Sequence, residues 1–580
     1  MQDIREQIKQ VIKNLYNIDF ELDLTPAPAN IDADYSTNAP LKLAKELHKS
    51  PMQIGEELKT EIEMSSFNKG TFQSAAARKL AREPRAEGSE RSDPVLNVNI
   101  SAPGFLNIVL SDDYLKSSIN NLYNNFDQSI SSNDFEGKTV ICEYSDPNPF
   151  KVLHVGHLYT SIVGDSISRL YEYAGAKVVR ANFGGDVGLH VAKTLYALKD
   201  KSIDDLQIDD ISKGYIEGTA LYEEDESARQ GITKLNKEIY QINSENLHDT
   251  PLAKLYWKGR ELSYDYFNDF YAKIGVHFDK YYPESTVAAL GLAKVKEQLE
   301  KGVYETSNGA TIFNGDKFGL HTRVFINQEG VPTYEAKDVG LIFTKWQDWH
   351  FDKSIVITGS EQLDYMKVVL KSIEQYAPDL VAKTTHLIHG LVKLPGGVKM
   401  SSRKGNFLKA VDVLDMVKEE LEKEYHSTDE KISLAATKYA FLKYKMGGDI
   451  IFDPKESVKM TGNSGPYLLY SAVRAKKILD KIGAIRQQDH GENVLSSPER
   501  DLIKKLLEYK QVLQDSVSEI APHKVATFLY ELAQDFSRFY ENCPVAGSPE
   551  EAERLKFVQV YLNTMAHGLN LLGISIPEEM

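Results

Sequence analysis

The run Glu143-Tyr144-Ser145-Asp146-Pro147-Asn148-Pro149-Phe150-Lys151-Val152-Leu153-His154-Val155-Gly156-His157 gathers groups suited to holding an anion. His154 and His157 flank Gly156. Imidazole N–H groups donate to phosphate oxygens, Lys151 adds a positive charge, and a glycine lets a ligand approach the backbone. Far downstream, Lys399-Met400-Ser401-Ser402-Arg403-Lys404-Gly405-Asn406 follows the turn signal Leu394-Pro395-Gly396-Gly397. Its clustered cations, with glycines on either side, suit a basic loop that closes on a polyphosphate. The common phosphate motifs G-x-x-x-x-G-K-[ST] and G-x-G-x-x-G are both missing. Each element also has a plainer reading: a packed turn with two ordinary histidines, and a solvated charge run.

Such groups need a scaffold to bring them together. Residues 139–144 form a short apolar run. After the loop, residues 156–173 carry Leu158, Ile162, Val163, Ile167 and Leu170 on a helical period, and Gly175 sits where a helix would stop. Residues 177–182 and 354–358 look like further buried strands. Strands alternating with helices predict an α/β fold with a parallel, doubly wound sheet, similar to a Rossmann sheet. Ligands bind such sheets outside the carboxyl ends of the strands, where helix N-termini attract phosphate.

Long charged helical patterns over about 195–300 look like an insertion in that sheet. Before it, residues 1–134 combine an opening helix, a helical pattern at 40–64 and a strand-like stretch at 95–110. The basic segment with Arg78, Lys79, Arg82 and Arg85 lies between the last two. From 426 onward the pattern is almost wholly helical, with regular apolar stripes at 499–518 and 523–540. Three domains are expected: an α+β domain at 1–134, the sheet domain at 135–425 and an all-α bundle at 426–580.

Composition narrows the class. Of 580 residues, 42% are hydrophobic and 26% charged, and the net charge is −16. That is ordinary soluble usage and excludes a mostly disordered or collagenous chain. No apolar run reaches the roughly 18 residues of a membrane span. The opening MQDIREQIKQVIKNLYNIDF lacks the features of a signal or transit peptide. Two cysteines, Cys142 and Cys543, exclude a disulfide scaffold and a cysteine-rich zinc site, and a reducing cytoplasm fits them. The negative charge opposes indiscriminate nucleic-acid binding but permits recognition through local basic patches.

Taken together, His-x-Gly-His after the first strand and Lys-Met-Ser-Ser-Arg far downstream resemble the signature pair of class I aminoacyl-tRNA synthetases. Ser-Asp-Pro-Asn-Pro-Phe-Lys ahead of the histidines resembles the arginyl-tRNA synthetase family. So do Gly185-Asp186-Val187-Gly188, Tyr334-Glu335-Ala336-Lys337-Asp338, Gly462-Asn463-Ser464-Gly465-Pro466-Tyr467, Phe539-Tyr540-Glu541-Asn542-Cys543-Pro544-Val545 and the ending Leu571-Leu572-Gly573-Ile574 to Pro577-Glu578-Glu579-Met580. The resemblance runs in order along nearly the whole chain and is weakest in the insertion and the N-terminal region.

The resemblance implies activation of L-arginine by ATP, followed by transfer to tRNA(Arg), with catalysis by positioning and fixed positive charge. His154, His157 and Lys151 would hold the phosphates from one side. Lys399, Ser402 and Arg403 or Lys404 would close from the other. Gly156, Glu361, His389, Gly390, Val392 and Met400 would complete the ATP site, with Glu361 on the ribose. Mg²⁺ would be carried by the nucleotide, and no zinc or other protein-bound metal is expected. Glu143, Asn148, Tyr334, Asp338 and Gln362 would form the arginine pocket. Tyr334 and Asp338 are i, i+4 and share a face if helical. Arg78 and Arg82 would meet the tRNA elbow; Tyr467, Tyr470, Arg474, Tyr540 and Met580 would meet the anticodon, where unpaired bases stack on aromatics and Arg planes. Relatives are commonly monomers.

Four positions depart from the family pattern. Tyr365 stands where a histidine is typical, Lys337 where arginine is common, Ser402 where threonine is usual, and Tyr159 where an arginine or another polar residue commonly stands. Two other functions are weighed: another synthetase or small nucleotidylyltransferase using the same turn, and a silent paralogue that only binds tRNA. The small transferases lack a helical C-terminal bundle, and silent paralogues usually lose the histidines or the loop lysine, all retained here.

Overall fold

The computed structural model describes residues 2–28, 30–67, 95–396, 408–482 and 494–580. They form two compact units. One comprises Met1–Ile130, Arg474–Gln511 and Glu531–Thr564; the other comprises Ser131–Val473, Val512–Tyr530 and Met565–Met580.

In the first unit a four-stranded antiparallel sheet runs in the order Thr25–Pro26, Tyr35–Thr37, Phe105–Leu110, Val95–Ser101. The strand-like stretch at 95–110 is therefore a hairpin. The helical pattern at 40–64 is two helices, Ala39–Leu47 and Pro51–Phe67, broken where His48 adopts a left-handed conformation. Buried Asp34 anchors this unit. It accepts from the Leu110 backbone N–H at 2.7 Å, and Arg500 and Lys504 of the helix Ser497–Ser518 pair with it at 2.6 and 2.9 Å.

The second unit is built on a five-stranded parallel sheet. Its spatial order is Thr384–His389, Lys353–Gly359, Thr139–Glu143, Lys177–Gly184, Lys280–Pro283. The chain fills one side of Thr139–Glu143 first and then crosses to the other, which puts a topological switch point at the carboxyl end of that strand. The core against the sheet includes Ile141, Val179 and Val356, with Val339 and Ile342 of the helix Tyr334–Trp349 and Val368 of the helix Leu363–Glu374.

The helical excursion ends earlier than the expected 300. Helices Ile208–Glu224, Glu226–Ser244 and Pro251–Lys273 form its own apolar core around Ile211, Ile232, Ile239 and Tyr256. Lys280–Pro283 then returns to the parallel sheet. Four residues are too few to display a strand period, so a helical setting hid this one. Three short strands, Glu305–Ser307, Ala310–Phe313 and Arg323–Ile326, make a separate antiparallel sheet, and they too are short for a strand period to show.

Candidate active site

The loop leaving Thr139–Glu143 is held in an unfavourable backbone conformation. Ser145, Asp146 and Phe150 have φ of 71°, 49° and 66°, a region that non-glycine residues seldom occupy. Neighbouring elements enforce it. Asp146 Oδ1 accepts from the Phe183 N–H at 2.7 Å, the Ser145 and Tyr271 hydroxyls share a bond of 2.8 Å, and the Phe150 N–H donates to Ser263 Oγ at 3.0 Å. Phe150 is fully buried in the core of the helical excursion. The excursion therefore shapes the loop that carries Lys151 and the histidines.

At the loop's end the helix Val155–Tyr173 begins, and its first turn is capped by the two imidazoles. His154 Nδ1 accepts from the Gly156 N–H and His157 Nδ1 accepts from the His154 N–H, both at 3.1 Å. With each Nδ1 serving as acceptor, the proton of a neutral ring must sit on Nε2. Burial, followed by the His389 and Lys151 charges, lowers the His154 pKa to about 4. Burial, His154 and Lys151 push His157 down as well. The pair thus presents two neutral Nε2–H donors beside a positive helix terminus. Gly156 is required because a Cβ there would lie 2.9 Å from His154 Cε1.

A small cavity at this turn is lined by Asn148, Lys151, His154, His157, Ser212 and Tyr215. Lys151 Nζ stands 4.8 Å from the Tyr215 ring centroid. Asn148 Oδ1 accepts from the Gly185 N–H at 2.7 Å, which leaves its amide NH₂ as the group for a ligand. A Cβ on Gly185 would meet Glu284, Asn148 and His190 at 2.5, 2.8 and 3.3 Å, so this glycine lets three polar side chains converge. A larger cavity of about 900 Å³ lies at the opposite end of the sheet, beside Phe135, Trp346, Lys353, Tyr376 and Lys383. It shares no residue with the signature turn.

Tyr334 and Asp338 lie on the helix Tyr334–Trp349, as their spacing suggested. Tyr334 is 64% exposed and Asp338 is 9% exposed. Asp338 Oδ2 accepts a short hydrogen bond from the Tyr365 hydroxyl. Burial raises the Asp338 pKa to about 7; Tyr365 opposes the rise, Glu143 and Glu284 add to it, and Lys345 opposes it. Lys337, the neighbour of Asp338, is buried against Glu284 and donates to Tyr240 at 3.1 Å.

Glu143 is buried, and its Oε2 accepts from Lys345 Nζ at 2.5 Å, so part of its charge is already balanced within the fold. Gln362 and Glu361 sit exposed on the 3-10 turn Ser360–Gln362, at the carboxyl end of Lys353–Gly359.

His389 ends the outermost strand and hydrogen-bonds the Gly390 carbonyl at 2.8 Å. Burial lowers its pKa, and the Glu361 charge partly restores it. The Tyr159 ring meets it edge-on, with centroids 5.3 Å apart. Val392 starts the short strand Val392–Lys393, which pairs with Ile450–Ile451. The backbone of Leu408 and Lys409 is tied to the signature turn: the Val155 N–H donates to the Leu408 carbonyl at 3.0 Å, and His154 and Lys409 form a β-bridge. Lys399, Met400, Ser401, Ser402, Arg403 and Lys404 lie outside the described residues, as do Arg78, Lys79, Arg82 and Arg85.

Of the remaining expected contacts, Tyr467 is half-buried and edge-on to Tyr530, and Tyr470 is exposed. Arg474 lies over the ring of exposed Tyr540 at 5.3 Å, and Met580 is half-buried.

Sequence reasoning missed Glu284, His190 and Lys345. His190 closely follows the Gly185-Asp186-Val187-Gly188 run, a local signal that had been available. Glu284 and Lys345 had none, because only folding brings them to the site. Among the described residues, no cluster of three His, Cys, Asp or Glu side chains could hold a metal, and no helix is long and apolar enough to cross a membrane.

The parallel sheet with its switch point, and the paired imidazoles at the helix start beside it, define a Rossmann-type fold with a candidate anion site at its carboxyl edge. The model for "tRNA synthetases class I (R), catalytic domain" matches residues 119–453. The "Arginyl tRNA synthetase N terminal domain" matches 2–79 and the "DALR anticodon binding domain" matches 468–580. The chain therefore belongs to the class I tRNA synthetases, in the arginyl family. An arginine–tRNA ligase of Clostridium acetobutylicum is 27% identical, with 100% of each chain covered. An arginine–tRNA ligase of Fusobacterium nucleatum is 28% identical over 87% of this chain and 90% of its own. The Thermus thermophilus arginyl-tRNA synthetase structure has the same fold, with a TM-score of 0.75, 24% identity and 100% of both chains covered.

Proposed function

We propose that the carboxyl edge of this sheet carries both half-reactions of an arginine–tRNA ligase, divided among the residues as follows. In the first, a carboxylate oxygen of L-arginine attacks the α-phosphorus of ATP. An O–P bond forms, the bond to the bridging oxygen breaks, and pyrophosphate leaves with its electron pair. In the second, a terminal ribose hydroxyl of tRNA attacks the arginyl carbonyl, loses its proton and expels AMP. Neither step needs a nucleophilic side chain.

His154 and His157 donate through Nε2–H to phosphate oxygens on which charge develops, and Lys151 adds positive charge from the same loop. Lys399, Ser402 and Arg403 or Lys404 meet the leaving pyrophosphate from a segment whose downstream neighbours, Leu408 and Lys409, are bonded to the signature turn. Mg²⁺ carried by the nucleotide would, when bound, neutralise part of that charge. His389, Gly390, Val392 and Met400 receive the adenine side, and Glu361 the ribose. Asp338 receives the guanidinium, with Tyr334 and Gln362 fixing its plane. Asn148 turns its amide NH₂ toward the amino acid.

The same proposal assigns residues 1–134 to the tRNA elbow through Arg78 and Arg82, and 135–425 to catalysis. Residues 426–580 read the anticodon through Tyr467, Tyr470, Arg474, Tyr540 and Met580. The chain acts as a monomer in the cytoplasm, a setting that suits its two buried free thiols, Cys142 and Cys543.

One observation carries the chemical assignment: the two Nε2–H donors and buried Asp338 belong to elements of one sheet edge. ATP–pyrophosphate exchange over all twenty amino acids, with and without tRNA, tests it. Exchange should appear with arginine and tRNA together. Preferential exchange with another amino acid would overturn it.

A further inference from the structure

Tyr365 occupies the first turn of the helix Leu363–Glu374 and points its hydroxyl at Asp338 Oδ2 across a chain separation of 27 residues. The contact is enclosed. Arg323 of the strand Arg323–Ile326 lies over the Tyr365 ring at 5.3 Å and pairs with Glu335 at 3.3 Å. Glu335 and Lys337 flank Asp338 on its own helix. Glu284 of the helix Glu284–Glu300 pairs with Lys337, and Glu143 of the first strand pairs with Lys345. Asp338 is thus a nearly buried carboxylate whose neighbouring cations are already committed to other acids. Its resolved hydrogen bond is the phenol of Tyr365.

We propose that Tyr365 is the positioning residue of arginine selection: its hydroxyl fixes the plane of the Asp338 carboxylate and holds it ionised for the guanidinium. This rests on the reading of Asp338 as the guanidinium acceptor. A carboxylate that rotates can satisfy a point-like ammonium from many directions. A carboxylate pinned through one oxygen presents a fixed direction that matches the planar fork of arginine. A hydrogen bond donated to the charged form also favours that form against burial. Tyr365 therefore acts on both charge and geometry without needing to touch ATP.

The test uses the full-length chain with tRNA, comparing Tyr365→Phe, Asp338→Asn and the double variant. Phenylalanine keeps the ring that packs in the core and removes only the hydroxyl. For Tyr365→Phe, KM for arginine should rise roughly tenfold while KM for ATP is unchanged, the size expected for one lost hydrogen bond to a charged group. The acid limb of kcat/KM for arginine should move up by about one pH unit, because the lost bond favoured the ionised carboxylate. The ratio of arginine to lysine charging should fall. In the double variant the two effects should not add, since the hydroxyl acts through Asp338. If Tyr365→Phe leaves the arginine KM and the acid limb in place, Tyr365 is only a packing residue and the inference fails alone. If Asp338→Asn also leaves arginine KM in place, the reading of the pocket fails with it.

Discussion

The rings of His154 and His157 stack 3.7 Å apart and 19° from parallel, and each accepts a backbone N–H of the same helical turn through Nδ1. Helix capping and the proposed phosphate contact therefore draw on the same two rings. The bonds that start the helix also select the Nε2–H tautomer, the one the proposed phosphate contact requires. Removing either ring should lower turnover more than its charge would suggest, because both rings are neutral.

His157→Ala and, from the basic loop, Lys399→Ala should each cut turnover by roughly 10²–10³, the range for one lost electrostatic donor. Single-turnover adenylate formation measures this directly. Near-parental rates in both would remove the assignment of the phosphate site.

The pH profile follows from the buried groups. His154 titrates near about 4, so no histidine limb should appear between pH 6 and 8. Asp338 has a pKa of about 7 in the folded chain against a usual 3.8. Its raised value means that the folded state holds the proton more tightly, so its contribution to apo stability falls as pH rises from about 4 to 7 and is flat above. Arginine binding runs the opposite way and should strengthen through the same interval. Thermal melts with and without arginine at pH 5.5 and 8 check both signs.

Asp338→Asn should weaken arginine binding by roughly 10²-fold and leave ATP binding nearly unchanged, because it drops the charge and keeps the shape. Discrimination against lysine and ornithine should be strong in the parent without any editing domain, since unmade buried polar contacts give rejection of order 10⁴–10⁵. Isothermal titration and mischarging assays separate the two statements.

Lys345→Met should destabilise the chain by about 3–5 kcal/mol by leaving Glu143 buried and unpaired, whereas Lys345→Met with Glu143→Leu should recover most of that loss. Denaturant unfolding compares them. Equal destabilisation in the single and double variants would contradict the buried pair.

Pyrophosphate exchange should be negligible until tRNA is added, and a chain cut near residue 450 should lose charging. Robust exchange by the enzyme alone would show that activation and tRNA binding are uncoupled.

Much of the scaffold could be read without coordinates. Apolar runs at 139–144, 177–182 and 354–358 mark three strands of the parallel sheet, and the apolar period of 156–173 marks the helix behind the histidines. Those signals are local, so the residues carry them in any context. Lys280–Pro283 and Thr384–His389 escaped, the first because it is only four residues long and the second because neither face of the strand is deeply buried.

The primary structure by itself determined the chemical inventory: the histidines of the signature turn, the basic loop, and Tyr334 and Asp338 one helical turn apart. Only the tertiary structure decided what each side chain has left to offer. Glu143, a candidate for arginine, is set by the fold against Lys345, 202 residues away, which pairs with its Oε2. Tyr365 was a departure of unknown consequence until the fold set its hydroxyl on Asp338. The physical reason is burial: taking a charge out of water forces it to find a partner, and that partner comes from whichever element packs alongside, however distant in the chain.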